Sequence, residues 1–332
     1  MHVLLASPWI PPEWVLAHGF ESRGIWFDDR FAAGAIVVEN GICALAQNSV
    51  QLARQNPRVP VIFASHCDQL RRGFDEVSEP GRFLFNLPAT WQSAAAQNLY
   101  ESELRRLGRF LVQLGGSEPT NEAVAQAITL MTTKRKRLLS LAPHTPGKPM
   151  CSLLADYYGA SLQTESTTPP CATEAIAAGL GTSRPHPIPL ALLGSPLTPS
   201  QWRLFDTIEA AGGTVALNAT ENGERSLIVF PDEQPAGDTP TLRLARAYVQ
   251  GCADVFQRPN TPLYSWLKPR LLERKIRGIL LWHYVGCDLW RAEAQSLREA
   301  FELPLLTLDA TEATSDHART SGRIQAFLES LQ

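Results

Sequence analysis

Apolar positions along the chain fall into two patterns, short β-branched runs and stripes that recur every three or four residues. Residues 59–65 (VPVIFAS) and 82–87 (RFLFNL) are short apolar runs, the second stopped by Pro88, and both read as buried parallel strands. Residues 12–19 read as one or two helical turns begun near a proline and ended at Gly19. Across residues 91–114 and 120–141 the spacing predicts two long helices packed together, with Thr120 and Asn121 as candidate caps. Pro143, Pro146, Gly147 and Pro149 then break the pattern, and residues 164–170 form a second connection rich in threonine and proline.

From Ile188 onward strand and helix patterns alternate. The strands fall at residues 188–194, 214–218, 279–284 and 303–309, and the helices at 200–211, 239–255, 267–275, 288–302 and 320–331. Such alternation predicts a doubly wound α/β domain on a parallel sheet. The expected organisation is therefore α/β, with two flavodoxin-like doubly wound units joined by a helical segment and a cleft between them. Its divisions are an N-terminal unit (1–90), a helical segment (91–145), a linker region (146–185) and a C-terminal domain (186–332).

A chain of 332 residues with 44% hydrophobic and 19% charged residues has the balance of a soluble globular protein with a sizeable core. Its net charge of −3 gives no general attraction to phosphate backbones or anionic membranes, so neither nucleic acid nor a membrane is an expected partner. The apolar opening lacks a basic flank and is interrupted at Pro8, Pro11 and Pro12, and no apolar run approaches a membrane span. Six scattered cysteines do not form a disulfide framework of the secreted kind, and a reducing cytoplasm is the expected compartment.

Two of those cysteines sit in matching loops. Ser65-His66-Cys67-Asp68 and Gly286-Cys287-Asp288 each follow an apolar strand and precede a helix, at the end of the sheet where ligands collect. A helix beginning just after a thiol directs its positive dipole end at the sulfur and favours thiolate. The plainer reading is that each cysteine is a small buried hydrophobe. No Cys-x-x-Cys or Cys-x-x-His pair occurs, so any metal centre would draw on ligands far apart in the chain.

The order and spacing of several motifs together resemble the 2-hydroxyacyl-CoA dehydratase and benzoyl-CoA reductase family, and in particular the D-component of 2-hydroxyglutaryl-CoA dehydratase. Pro11-Pro12-Glu13-Trp14-Val15-Leu16-Ala17-His18-Gly19, followed by Arg23, is similar to the family's early Pro-x-Glu segment, and Cys43 falls where a first cluster cysteine is expected. Cys67-Asp68 with Arg71 and Arg72 resembles the second cysteine motif. Leu193-Gly194-Ser195-Pro196 and residues 212–225 resemble the opening of the last domain. Gly286-Cys287-Asp288-Leu289-Trp290 with Glu293 resembles the third cysteine motif, and residues 319–328 a terminal Arg-x-x-x-Phe-Leu helix. The sequence departs from the family after Cys43, where ALAQNS lacks an arginine often found there.

The resemblance implies a [4Fe–4S] cluster on Cys43, Cys67 and Cys287 that leaves one iron open, in a lyase (2-hydroxyacyl-CoA dehydratase) or oxidoreductase (acyl-CoA reductase) subunit. In that chemistry one electron placed on the thioester carbonyl gives a ketyl radical, which expels hydroxide and acidifies the β proton. The implied partners are a homologous subunit in a homo- or heterodimer, an ATP-hydrolysing activator protein and an acyl-CoA substrate. The chain has no phosphate-binding glycine loop of its own, Gly179-Leu180-Gly181-Thr182 being too weak a match. Glu13 is the candidate catalytic carboxylate, either moving a proton or facing iron, with a helix-dipole role as the alternative. Arg23, Arg71 and Arg72 either meet CoA phosphates, hydrogen-bond the cluster environment or are solvated helix charge, and His66 and His283 either tune sulfur, move protons or are structural donors. Trp290 would shield the cluster, Asp68 and Asp288 would cap their helices, and Cys151, Cys171 and Cys252 fall outside the motifs. The alternatives are an electron-relay subunit, a double-cubane reductase subunit using those three further cysteines, and a cluster-free α/β binding protein.

Overall fold

Four short strands open the fold: β1 (His2–Leu5), β2 (Glu21–Gly24), β3 (Val61–Ala64) and β4 (Arg82–Phe85) pair in parallel in the order β2-β1-β3-β4. The structure is a computed structural model that describes residues 1–27, 41–77, 80–159, 187–230, 237–310 and 317–332. Helices α1 (Pro12–Ala17), α2 (Ala44–Gln55) and α3 (Asp68–Asp75) lie between these strands, and α4 (Ala94–Gln113), α5 (Asn121–Leu141) and α6 (Lys148–Tyr157) follow. A second parallel sheet is built from β5 (Ile188–Gly194), β6 (Gly213–Thr220), β7 (Gly278–Tyr284) and β8 (Leu305–Ala310) in the order β6-β5-β7-β8. Around it are α7 (Arg203–Ala210), α8 (Pro240–Gly251), α9 (Thr261–Glu273), α10 (Asp288–Phe301) and α11 (His317–Ser330). The two flavodoxin-like α/β units expected from the alternating pattern are present.

Strand alternation assigns each face to a different core. Val61 and Phe63 of β3 share one apolar cluster with Leu190 and Leu192 of β5, so a single core joins the two units. Ile62 and Ala64 point the other way, into a cluster with Tyr100, Leu104, Val124 and Val249. Ala191 and Leu193 pack with Leu267 and Leu297 on the far face of the second sheet. Because both faces of β3, β5 and β7 are covered, their sequences read as continuous apolar runs rather than alternating ones.

The capping reading of Thr120 is met: its hydroxyl accepts from Ala123 N at 3.2 Å, and Asn121 is the first helical residue. Two expectations change. Helices α4 and α5 pack mainly against α1 and α8 rather than against each other, because Tyr248 and its neighbours from the second unit insert beside them. After the proline break, Lys148–Tyr157 forms a helix that buries Met150, Cys151 and Leu154 in the shared core. The connection at residues 164–170, Gly179-Leu180-Gly181-Thr182 and Cys171 lie outside the described residues.

Candidate functional site

Each strand order reverses once, between β1 and β3 in the first sheet and between β5 and β7 in the second. At such a switch point neighbouring crossovers leave on opposite faces and open a crevice at the strand ends. The loops after β3 and β7 carry Cys67 and Cys287, and the loop after β5 carries Ser195. Cys43, Cys67 and Cys287 are the N-cap residues of α2, α3 and α10, so all three thiols stand at helix starts. Gly286, at φ +89°, makes the turn that delivers Cys287.

The three thiols act on one another. A charge on Cys43 or on Cys287 opposes ionisation of Cys67, and a charge on Cys43 opposes that of Cys287, so all three lie within electrostatic reach of one another. Cys43 N donates to Gln69 Oε1 at 2.8 Å, tying the start of α2 to the first turn of α3. Ser195 Oγ is 3.9 Å from Cys287 Sγ. Backbone N–H groups of Leu45 and Ala46 favour the Cys43 anion, as those of Gln69 and Leu70 do for Cys67 and that of Trp290 does for Cys287. The expectation that helix dipoles make these groups thiolates is corrected on one point. Burial opposes the dipole and wins: it pushes all three thiols up, Cys287 to about 12. Among the described residues no three His, Cys, Asp or Glu side chains converge as they would on a single metal ion.

A carboxylate that the sequence reading did not single out lies within electrostatic reach of two of these thiols. Glu221, 8% exposed, directly follows β6, and its charge is felt by Cys43 and Cys287. Its Oε1 lies 3.3 Å from His66 Nε2, and His66 is the residue before Cys67. Its backbone N donates to Gly194 O at 2.9 Å, beside Ser195. The turn that holds it is heavily tied. Asn222 accepts from Leu197 N at 2.9 Å and donates to Leu197 O at 2.8 Å, while Arg225 donates to Gly194 O at 2.9 Å and Ala219 O at 3.0 Å and pairs with buried Asp254. Only the resemblance of residues 212–225 to the family pattern marked this segment beforehand.

Glu13 occupies a different network. It is fully buried, with Oε1 2.5 Å from Arg135 Nη1, and its Oε2 accepts from the Tyr248 hydroxyl at 2.9 Å. Arg135 also donates to Tyr157 and Tyr248 hydroxyls, each at 2.6 Å, and to Ile228 O. Asp68 and Asp288 are first-turn residues behind cysteine N-caps, not caps themselves. Buried Trp290 carries the Arg225 guanidinium 4.8 Å from its ring centroid. His283 is buried, with Nε2 3.2 Å from Asp309 Oδ1. Arg71 stands in solvent 3.6 Å from Asp68, and Arg72 is exposed. Cys151 is buried beside Asn218 Nδ2 at 3.5 Å and its thiol is pushed up to about 12, while Cys252 is buried beside Arg225 and Asp254.

Next to Cys287 a polar groove of about 520 Å³ opens between the starts of α10 and α11, lined by Arg291, Arg319 and Arg323 with Thr307, Thr320 and Asp309. That volume is within the range of small-molecule sites, roughly 300–1,000 Å³.

Two doubly wound parallel sheets that share one apolar core, with cysteines at the helix starts that follow β3 and β7, define the class: an α/β protein of paired flavodoxin-like units. The family model described as 2-hydroxyglutaryl-CoA dehydratase, D-component, matches residues 10–331, and the chain belongs to that family. It is also 22% identical, over 90% of its own length and 87% of the relative's, to the Escherichia coli (strain K12) protein named "Putative dehydratase subunit YjiM". Among the described residues no helix is long and apolar enough to cross a membrane.

Proposed function

We propose that this chain is the [4Fe–4S]-binding component of an ATP-activated 2-hydroxyacyl-CoA dehydratase, with Cys43, Cys67 and Cys287 as the cluster ligands. The observation that carries the reading is the gathering of three thiols, from positions 43, 67 and 287, at three helix starts within mutual electrostatic reach. The donor set fits the group. Thiolates are the usual ligands of iron–sulfur clusters, and backbone N–H groups directed at ligand sulfur stabilise their charge. Burial that discourages free thiolates is relieved when cationic iron takes the place of the protons. A cluster several ångströms across takes ligands set farther apart than a single ion does, and three ligands leave one of its irons open. When bound, the cluster supplies a strongly reducing electron and a Lewis-acidic iron.

The chain's own groups account for the surroundings. Arg225 and Asn222 fix the loops after β5 and β6, and Trp290 keeps water from the Cys287 side. The groove of Arg291, Arg319 and Arg323 supports an acyl-CoA substrate, because three guanidiniums offer forked donors to phosphate oxygens beside the thiol cleft. A homologous subunit in a dimer, an ATP-hydrolysing activator and a cytoplasmic setting complete the proposal. A benzoyl-CoA reductase-like role for the same cluster is its variant.

Anaerobic purification followed by iron and acid-labile sulfide analysis tests this. About four of each per chain is expected for one cubane. Near-zero iron in protein never exposed to air overturns the reading.

A further inference from the structure

The geometry points to Glu221 as this chain's own oxygen ligand toward the open corner of the cysteine-held cluster, with His66 positioning it; the inference rests on the cluster reading above. Two independent ties place the carboxylate between the cysteine loops. On one side its Oε1 is 3.3 Å from His66 Nε2, one residue before Cys67. On the other, its backbone N is hydrogen-bonded to Gly194 O, one residue before the Ser195 hydroxyl that is 3.9 Å from Cys287 Sγ. The Oε1 contact leaves Oε2 without a hydrogen-bond partner among the described residues, although the side chain is only 10% exposed. A carboxylate this deep ordinarily has both oxygens occupied, as Glu13 does through Arg135 and Tyr248. Among the described residues Glu221 faces only an imidazole, and a cation at Oε2 would complete the compensation of its charge.

The local chain rules out easy withdrawal. Asn222 is pinned on both sides of Leu197, Gly223 stands where an added Cβ would lie 2.5 Å from Asn218 O, and Arg225 holds Ala219 O. Glu221 is therefore presented from a rigid turn rather than a mobile arm. His66 is held beside it by a tilted ring contact with Phe256, centroids 5.2 Å apart. No proton or electron transfer is required of either residue: Glu221 would hold the iron through one carboxylate oxygen, which a substrate oxygen would replace. A carboxylate there also adds negative charge, which lowers the reduction potential.

The test uses anaerobically reconstituted wild-type chain, Glu221→Gln and Glu221→Ala, each analysed for iron and sulfide and then reduced and examined by electron–nuclear double resonance in isotopically labelled water. Wild type is expected to show no coupling from labelled water at the cluster. Both variants are expected to gain one at unchanged iron content, with a midpoint potential above that of wild type. Identical water coupling and potential in all three proteins, each with full iron, overturns the role of Glu221 while leaving the cluster in place. Absence of iron from wild type overturns the cluster reading and this inference with it. Loss of iron from Glu221→Ala alone leaves the decision to Glu221→Gln, which preserves the side-chain shape.

Discussion

Glu13 and Arg135, 122 positions apart, meet at 2.5 Å in full burial, and the Tyr248 hydroxyl closes the pair at 2.9 Å from the second carboxylate oxygen. The contact joins α1, α5 and α8, and so locks the N-terminal unit to a helix that comes from beyond β6. A carboxylate with both oxygens engaged this way is fixed in place. Removing one member of such a pair strands a buried charge. Glu13→Gln is expected to lose about 3–5 kcal/mol of stability, read from urea unfolding. The double replacement Glu13→Leu with Arg135→Met should lose less than either single change. A Glu13→Gln protein as stable as wild type would remove the structural role.

Cysteine replacements should divide into two groups. Cys43→Ala, Cys67→Ala and Cys287→Ala are each expected to lose the visible charge-transfer absorption of the cluster. Cys151→Ala, Cys171→Ala and Cys252→Ala are expected to keep it, because Cys151 is engaged by Asn218 Nδ2, Cys252 lies beside Asp254 and Arg225, and all three fall outside the three cysteine motifs. Extra iron that disappears with Cys151 or Cys252 would instead favour a double-cubane centre.

Phosphate recognition by the arginine groove predicts a salt-sensitive loss on mutation. Arg291→Ala, Arg319→Ala and Arg323→Ala should each weaken acyl-CoA binding about tenfold, or ~1.4 kcal/mol, without changing iron content. Arg323 already donates to Thr307 O at 2.6 Å, so its replacement should also soften the junction of β8 and α11. Calorimetric titration with a non-reacting acyl-CoA analogue gives the answer, and unchanged affinity in all three variants would move the CoA site elsewhere.

Gly194, at φ +127°, ends β5 where an added Cβ would lie 1.9 Å from Trp282 O of the neighbouring strand. Gly194→Ala must therefore push β5 and β7 apart and displace Ser195. A stability loss on the order of 3 kcal/mol is expected, with diminished cluster retention. Thermal unfolding and iron analysis of the same sample would show both, and wild-type values for each would contradict the close approach.

His18 gives a pH dependence with a definite sign. Burial lowers its pKa below 6.5, opposed by its contact with Trp14 O at 2.7 Å and by the charge of Glu118. The folded state thus binds fewer protons than the unfolded one, so this contribution is complete above about pH 6.5 and is lost as pH falls toward the depressed value. Urea midpoints of wild type should drop more between pH 7 and pH 5 than those of His18→Gln. Parallel profiles for the two proteins would place the acid sensitivity in other groups.

Much of this protein is determined by its sequence alone. The doubly wound C-terminal pattern, the strands at Val61–Ala64 and Arg82–Phe85 and the helices from Ala94 and Asn121 are local consequences of apolar spacing, turn residues and caps. The Cys-Asp loops at the ends of β3 and β7 were legible for the same reason: strand, turn and helix start are all encoded within ten residues. The strands β1 and β2 were not, since four-residue segments such as ESRG carry no periodic signal and become strands by pairing with neighbours.

Tertiary structure decided everything that depends on convergence. Only folding brings Glu221 to His66, across 155 positions of chain, and within electrostatic reach of Cys43 and Cys287. Only burial reverses the helix-dipole expectation for those thiols, because desolvation is a property of the assembled core and not of any helix. Local spacing fixes which residues stand at a strand end; which strand ends face one another follows from the packing of the two sheets.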